Sequence, residues 1–272
     1  MEFGVIILLL VLGIAGGILS GMIGIGGGLI FVPMFDFLFK SYGIEGSEVV
    51  KFTLANSFFC IFVSGIITSV KQYRQDNFYL KEIIYTGIPA ILTGLLFTWL
   101  ITNFSWYSES MFKALFVLLL IYTVVRTFSG KSKSELPEAP FNRKKFVGIG
   151  LLTGIASSLS GLGGGIVMIP LFKNLTHMNM KKASSVSIGV IPILLLPMLI
   201  VYLSGSPKML TSELLHWGYL TPLYVLPISL GLWLGTSLGL GFAKRLSNQA
   251  LQYIFAGLLI VLIIKYIIEF IG

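Results

Sequence analysis

Charge is what this chain has least of. Asp, Glu, Lys and Arg make up 11% of its 272 residues, against roughly a quarter in ordinary soluble domains. Residues 3–35, 52–70, 83–107, 146–172, 183–207, 217–243 and 246–264 contain none of the four. That pattern excludes a soluble globular domain. About 20 apolar residues cross a hydrocarbon core of roughly 30 Å, so each block predicts membrane-embedded helix. Cysteine is nearly absent too: Cys60 stands alone within a block, which excludes a disulfide inside the chain. The two histidines, His177 and His216, lie far apart at loop positions. They form no metal-ligand spacing, and neither offers a base to a nucleophile such as Ser64 or Ser160. We therefore expect no enzyme, no cofactor and no metal. The net charge of +8 comes from basic residues in short connections between blocks, the membrane bias of Lys and Arg rather than a nucleic-acid footprint. The opening MEFGVIILLL lacks the basic start of a signal peptide and reads as a span.

What the chain does have is glycine in unexpected places. Residues 21–35 read GMIGIGGGLIFVPMF, and residues 160–172 read SGLGGGIVMIPLF. The copies align over Ser20 with Ser157, Gly24 with Gly161, Gly26, Gly27 and Gly28 with Gly163, Gly164 and Gly165, and Pro33 with Pro170. A Lys followed by small polar residues comes after each, KFTLANS from Lys51 and KASSVSI from Lys182. This is an internal repeat. It divides the chain into a first membrane repeat at 1–128, a hydrophilic linker at 129–145 and a second repeat at 146–272. Neither glycine run carries the Lys-Ser/Thr of a phosphate loop.

Charge placement decides between two topologies. If each glycine block crossed once, Lys and Arg would divide 11 to 8 between the faces. If each block is a bent hairpin returning to its own side, they divide 14 to 5, as the positive-inside bias requires. The hairpin reading gives five helical pieces per half and therefore inverted halves. The expected fold is an all-α integral membrane protein of two inverted repeats, each a Gly-broken helical hairpin plus three transmembrane helices, with both termini outside the cytoplasm. Such repeats recur in secondary transporters.

GIGGGLIFVPMF and its second copy GLGGGIVMIPLF, together with the duplicated halves and the length, resemble the sulfite exporter TauE/SafE family of membrane permeases. The resemblance implies a multi-pass protein of the bacterial inner membrane that moves sulfite, sulfonates or related small sulfur anions, often as export. It fixes neither the anion nor its coupling, and it leaves a homodimer open. The halves also depart from one another: SVSIGVIPILLLP in the second carries two prolines where the first reads ANSFFCIFVSG.

Three adjacent glycines leave amides unobstructed and tolerate positive φ. A helix restarting at Leu29 or Ile166 would point its free N–H groups and positive dipole end at the break, a setting that binds anions. The expected substrate site is therefore Gly26, Gly27, Gly28, Gly163, Gly164 and Gly165. Hydroxyl and amide donors would come from Ser20, Thr53, Asn56, Ser57, Ser157, Ser160, Ser184 and Ser187. No Lys or Arg lies deep in a predicted span. Alternating exposure of a midplane site is the expected mechanism; a passive small-anion channel would use the same helix ends. A competing structural reading takes Gly17 with Gly21, Gly24 with Gly28, and Ser157 with Gly161 and Gly165 as small-residue faces for close helix packing. Trp99, Trp106, Trp217 and Trp233 are expected near span ends, and Asp36 and Lys173 at matching interfacial ends of the two short arms.

Overall fold

A computed structural model describes residues 3–129, 139–208 and 215–271. These residues form ten helices and no strand: α1 Phe3–Ile23, α2 Gly28–Ser41, α3 Gly46–Tyr73, α4 Leu80–Asn103, α5 Glu109–Ser129, α6 Arg143–Ser160, α7 Gly165–Thr176, α8 Met180–Leu203, α9 Pro222–Arg245 and α10 Asn248–Ile271. All-helical structure is what lipid demands, because each helix satisfies its own backbone polar groups. Six of the helices are long and apolar enough to cross a membrane. Their large apolar residues point outward, with Leu92, Leu196, Leu226 and Val261 all exposed, while small hydroxyl residues such as Ser64, Thr68, Thr86 and Thr236 are buried inside.

The glycine runs do break the helices, as the sequence predicts. The restarts come one residue earlier than expected, at Gly28 and Gly165. The arms of each hairpin are unequal, however. The first arms have 21 and 18 residues, the second only 14 and 12. At 1.5 Å per residue the second arms reach only about 21 and 18 Å, too short to cross. The length of the first arms follows from the partners they lie against. α1 lies parallel to α9 along a seam of glycines. Gly13, Gly17 and Gly21 face Ile228, Leu232 and Thr236, while Gly231, Gly235 and Gly239 face Leu10, Ile14 and Ile18. α6 lies parallel to α4 in the same manner, with Gly150 on Thr86 and Gly154 on Ala90. Each long arm therefore runs past the middle of a full-length helix from the other half before its break. Gly27 then folds back to the level of Gly16, and Gly164 to the level of Thr153.

Between these paired layers, α3 and α8 run antiparallel. Gly65 packs on Ile191 and Pro192, and the Ser69 hydroxyl donates to the Ile188 carbonyl at 3.0 Å. Trp233 is a second correction. It sits in the middle of α9 and is 61% exposed. The helix begins only at Pro222, because residues 217–221 fold inward instead of extending it.

Candidate functional site

The two breaks are four-residue loops in which three glycines each adopt the left-handed region. Gly24, Gly26 and Gly27 have φ of 86°, 73° and 78°; Gly161, Gly163 and Gly164 have 75°, 69° and 81°. A residue with a Cβ pays roughly 1–2 kcal/mol for that conformation, which is why glycine occupies these places. Both loops are buried, and they touch. A Cβ on Gly28 would lie 3.1 Å from the Leu162 Cα, and one on Gly165 would lie 2.8 Å from the Ile25 Cα. The first helical bonds are accepted by Gly27 O from Ile30 N at 3.0 Å and by Gly164 O from Met168 N at 3.0 Å. The amides at the start of α2 and α7 thus stand outside the helical ladder at the meeting point of the loops.

The predicted donors divide by location. Ser187 donates to the Gly24 carbonyl at 3.0 Å, and Ser184 lies directly against Gly24, so both gather at the first loop. Ser20 accepts from Ser64 at 2.5 Å. Ser160 is turned to its own helix, donating to the Ala156 carbonyl at 2.6 Å. The hydroxyls of Thr53, Ser57 and Ser157 are buried with no partner among the described residues. Asn56 serves a different purpose. Its amide donates to the carbonyls of Phe52 and Tyr219 at 2.8 and 2.9 Å, and its oxygen accepts from the Thr221 amide and hydroxyl at 2.9 and 2.6 Å.

Asn56 thereby holds the segment before α9 over one end of the molecule. The closure is reinforced by a buried ion pair, Lys51 to Glu48 at 3.1 Å. Glu48 also accepts from the Lys208 amide at 3.0 Å and the Tyr219 hydroxyl at 3.4 Å, while Lys51 sits 5.5 Å from the Tyr219 ring centre. Burial, and next the charge of Glu48, pushes the Tyr219 phenol above its ordinary range, so it stays a donor. Lys182, which matches Lys51 in the repeat, makes the corresponding set at the other end. It lies 3.4 Å from Glu82 and 4.7 Å from the Tyr79 ring centre.

That second end is open. A cavity of about 180 Å³ enters between α1, α3, α8 and α9 from the face carrying Lys71, Arg74, Lys181 and Lys244, and reaches Gly21 and Ser184 beside the first glycine loop. Gln72, Lys181 and Lys244 line it and were not among the residues singled out by sequence. The two lysines had been counted only as loop charges. Gln72 lies just past the end of an apolar block, and that adjacency is the one signal that could have marked it.

Of the two matching charges on the short arms, one differs from expectation. Asp36 is buried inside α2 rather than at its end; it contacts Lys40 at 2.6 Å, and Lys40 reaches Glu109 of α5 at 2.9 Å. Lys173 does occupy the last turn of α7. Among the described residues no cluster of His, Cys, Asp and Glu is arranged for a metal.

A family model described as "Sulfite exporter TauE/SafE" matches residues 9–266. A probable membrane transporter protein of Methanocaldococcus jannaschii is 28% identical over 252 residues, covering 93% of this chain and 91% of the relative. One from Haemophilus influenzae is 27% identical over 270 residues, covering 98% and 100%. The probable membrane transporter protein YunE of Bacillus subtilis is 23% identical over 285 residues, covering 97% of each.

Proposed function

Because the chain belongs to the sulfite exporter TauE/SafE family, a family of membrane transporters, we propose that it is a secondary permease for small sulfur oxyanions or organosulfonates, working in export. The reading is carried by one observation: two glycine-broken loops, one from each half, meet inside the protein, with a cavity from one face ending at Ser184 beside the first loop and the other face covered by the segment that Asn56 holds. The restarting helices α2 and α7 each bring roughly half a positive charge to that meeting point. A partial charge neutralises an anion while letting it leave; a buried Arg would hold it and would itself be costly in lipid.

The lysine-rich face is taken as cytoplasmic, with both termini on the other side and the linker 129–145 inside. On this reading the halves 1–128 and 146–272 are inverted repeats, and the antiparallel run of the matching helices α3 and α8 supports it. The cavity then marks the loading side for export. Alternating access would come from release of the segment held by Asn56, Glu48 and Lys51 on one face as the cavity on the other face closes. A passive channel is disfavoured by the closed end tied to Asn56.

Proteoliposomes loaded with sulfite test the proposal. Efflux should exceed that from protein-free liposomes. Gly27→Ala and Gly164→Ala should return it to background, since a Cβ at either position meets neighbours at 2.8 and 2.5 Å in addition to the backbone strain. If neither sulfite nor simple sulfonates leave faster than from empty liposomes, or both variants match the wild type, the reading fails. Single-channel currents would identify a pore instead.

A further inference from the structure

We infer that the cavity on the lysine-rich face is an anion-capture site for compact oxyanions that carry no ammonium group. The inference rests on the transporter reading above and narrows its substrate class. Three observations carry it. Lys181 and Lys244 enter the cavity from α8 and α9, and no carboxylate lines it. Gln72, 5% exposed, lines the same space, and its Oε1 is buried with no partner among the described residues. Ser184 forms part of the inner wall, against Gly24.

The chemistry follows from that lining. A carboxamide inside a protein ordinarily has its hydrogen bonds satisfied, and an unmatched one beside a cavity is a place where a ligand completes the set. Exchanging the ends of the Gln72 amide, which are interchangeable in shape, turns its NH₂ group toward the space. Gln72 and Ser184 then donate to an oxyanion, while the two lysines raise the local anion concentration. An aminosulfonate such as taurine carries an ammonium group as well as its sulfonate. No carboxylate lines the space to pair with that cation, the carboxamides of Gln72, Gln75 and Asn77 offer it only neutral acceptors, and two lysines repel it. Size agrees: about 180 Å³ is below the roughly 300–1,000 Å³ of pockets that enclose drug-sized ligands. Ser184 sits between this space and the first glycine loop, so an anion held here is one step from the helix ends.

The test is direct titration of the full-length protein in detergent with sodium sulfite, sulfate, thiosulfate and taurine, followed by calorimetry and by thermal shift. At least one of the three oxyanions should bind saturably, and taurine at least tenfold more weakly. Gln72→Leu should weaken oxyanion binding about tenfold, and Lys181→Gln with Lys244→Gln should weaken it and flatten its dependence on ionic strength. Unliganded melting temperatures within a few degrees of wild type show that the variants are folded; a variant that unfolds is replaced by Gln72→Glu, whose new carboxylate should repel the anion. Taurine binding equal to that of the oxyanions, unchanged affinity in folded variants, or no saturable binding to the wild type each overturns the inference. Liposome efflux abolished by Gly27→Ala but unaffected by Gln72→Leu would overturn it while leaving the transporter reading standing.

Discussion

Asn56 makes four hydrogen bonds, three of them to Tyr219 and Thr221 in the other half of the chain. Few residues tie one end of the molecule so directly. Asn56→Leu would leave the Tyr219 carbonyl and the Thr221 amide and hydroxyl without these partners, each at about 1–3 kcal/mol when buried. The segment should then open more often. In a Cys60→Ala background, Leu220→Cys begins at a position only 6% exposed, so a membrane-impermeant maleimide should label it slowly. Adding Asn56→Leu should speed labelling by roughly tenfold or more, the equivalent of about 1.4 kcal/mol. An unchanged labelling rate would show that Asn56 does not hold the segment down.

At the scale of helices, glycine does two different jobs in one short stretch. Gly17 and Gly21 bring α1 onto the backbone of α9, whereas Gly24, Gly26 and Gly27 turn the chain at positive φ. Of the small-residue faces the sequence offers for packing, Gly17 with Gly21 is one; Gly24 with Gly28, and Ser157 with Gly161 and Gly165, are not, because Gly24 and Gly161 lie in the breaks at positive φ. The break itself was legible, since a triple glycine occurring twice at matching positions, each followed by a Pro, favours a turn over close helix packing. The partner that carries so long a first arm was not, because α1 lies along α9, a partnership made across more than 200 residues of sequence. Gln72, Lys181 and Lys244 were hidden as neighbours in the same way; they come from three helices, and no spacing along the chain encodes their meeting. The α1–α9 seam has its own test. A Cβ on Gly235 would lie 2.1 Å from the Ile14 carbonyl oxygen, while one on Gly241 meets nothing within 4 Å. Overpacking of this kind costs about 1–3 kcal/mol or more. Gly235→Leu should lower the melting temperature and the yield of monodisperse protein, and Gly241→Leu should change neither. Equal behaviour of the two would argue against close backbone contact at the seam.

Across the molecule, the seams join helices from opposite halves of the chain: α1 with α9 and α4 with α6. The boundary that the repeat draws in the sequence is therefore not where the protein would come apart under load. Each half contributes one member to both tightly meshed pairs, like clasped hands. A chain cut between residues 129 and 139 loses none of these seams. Fragments 1–129 and 139–272 produced together should find each other in the bilayer, co-purify and restore efflux, while either alone should be degraded. Any rocking motion that carries an anion must then move the meshed pairs as blocks, and the hinges belong between those blocks rather than at the linker.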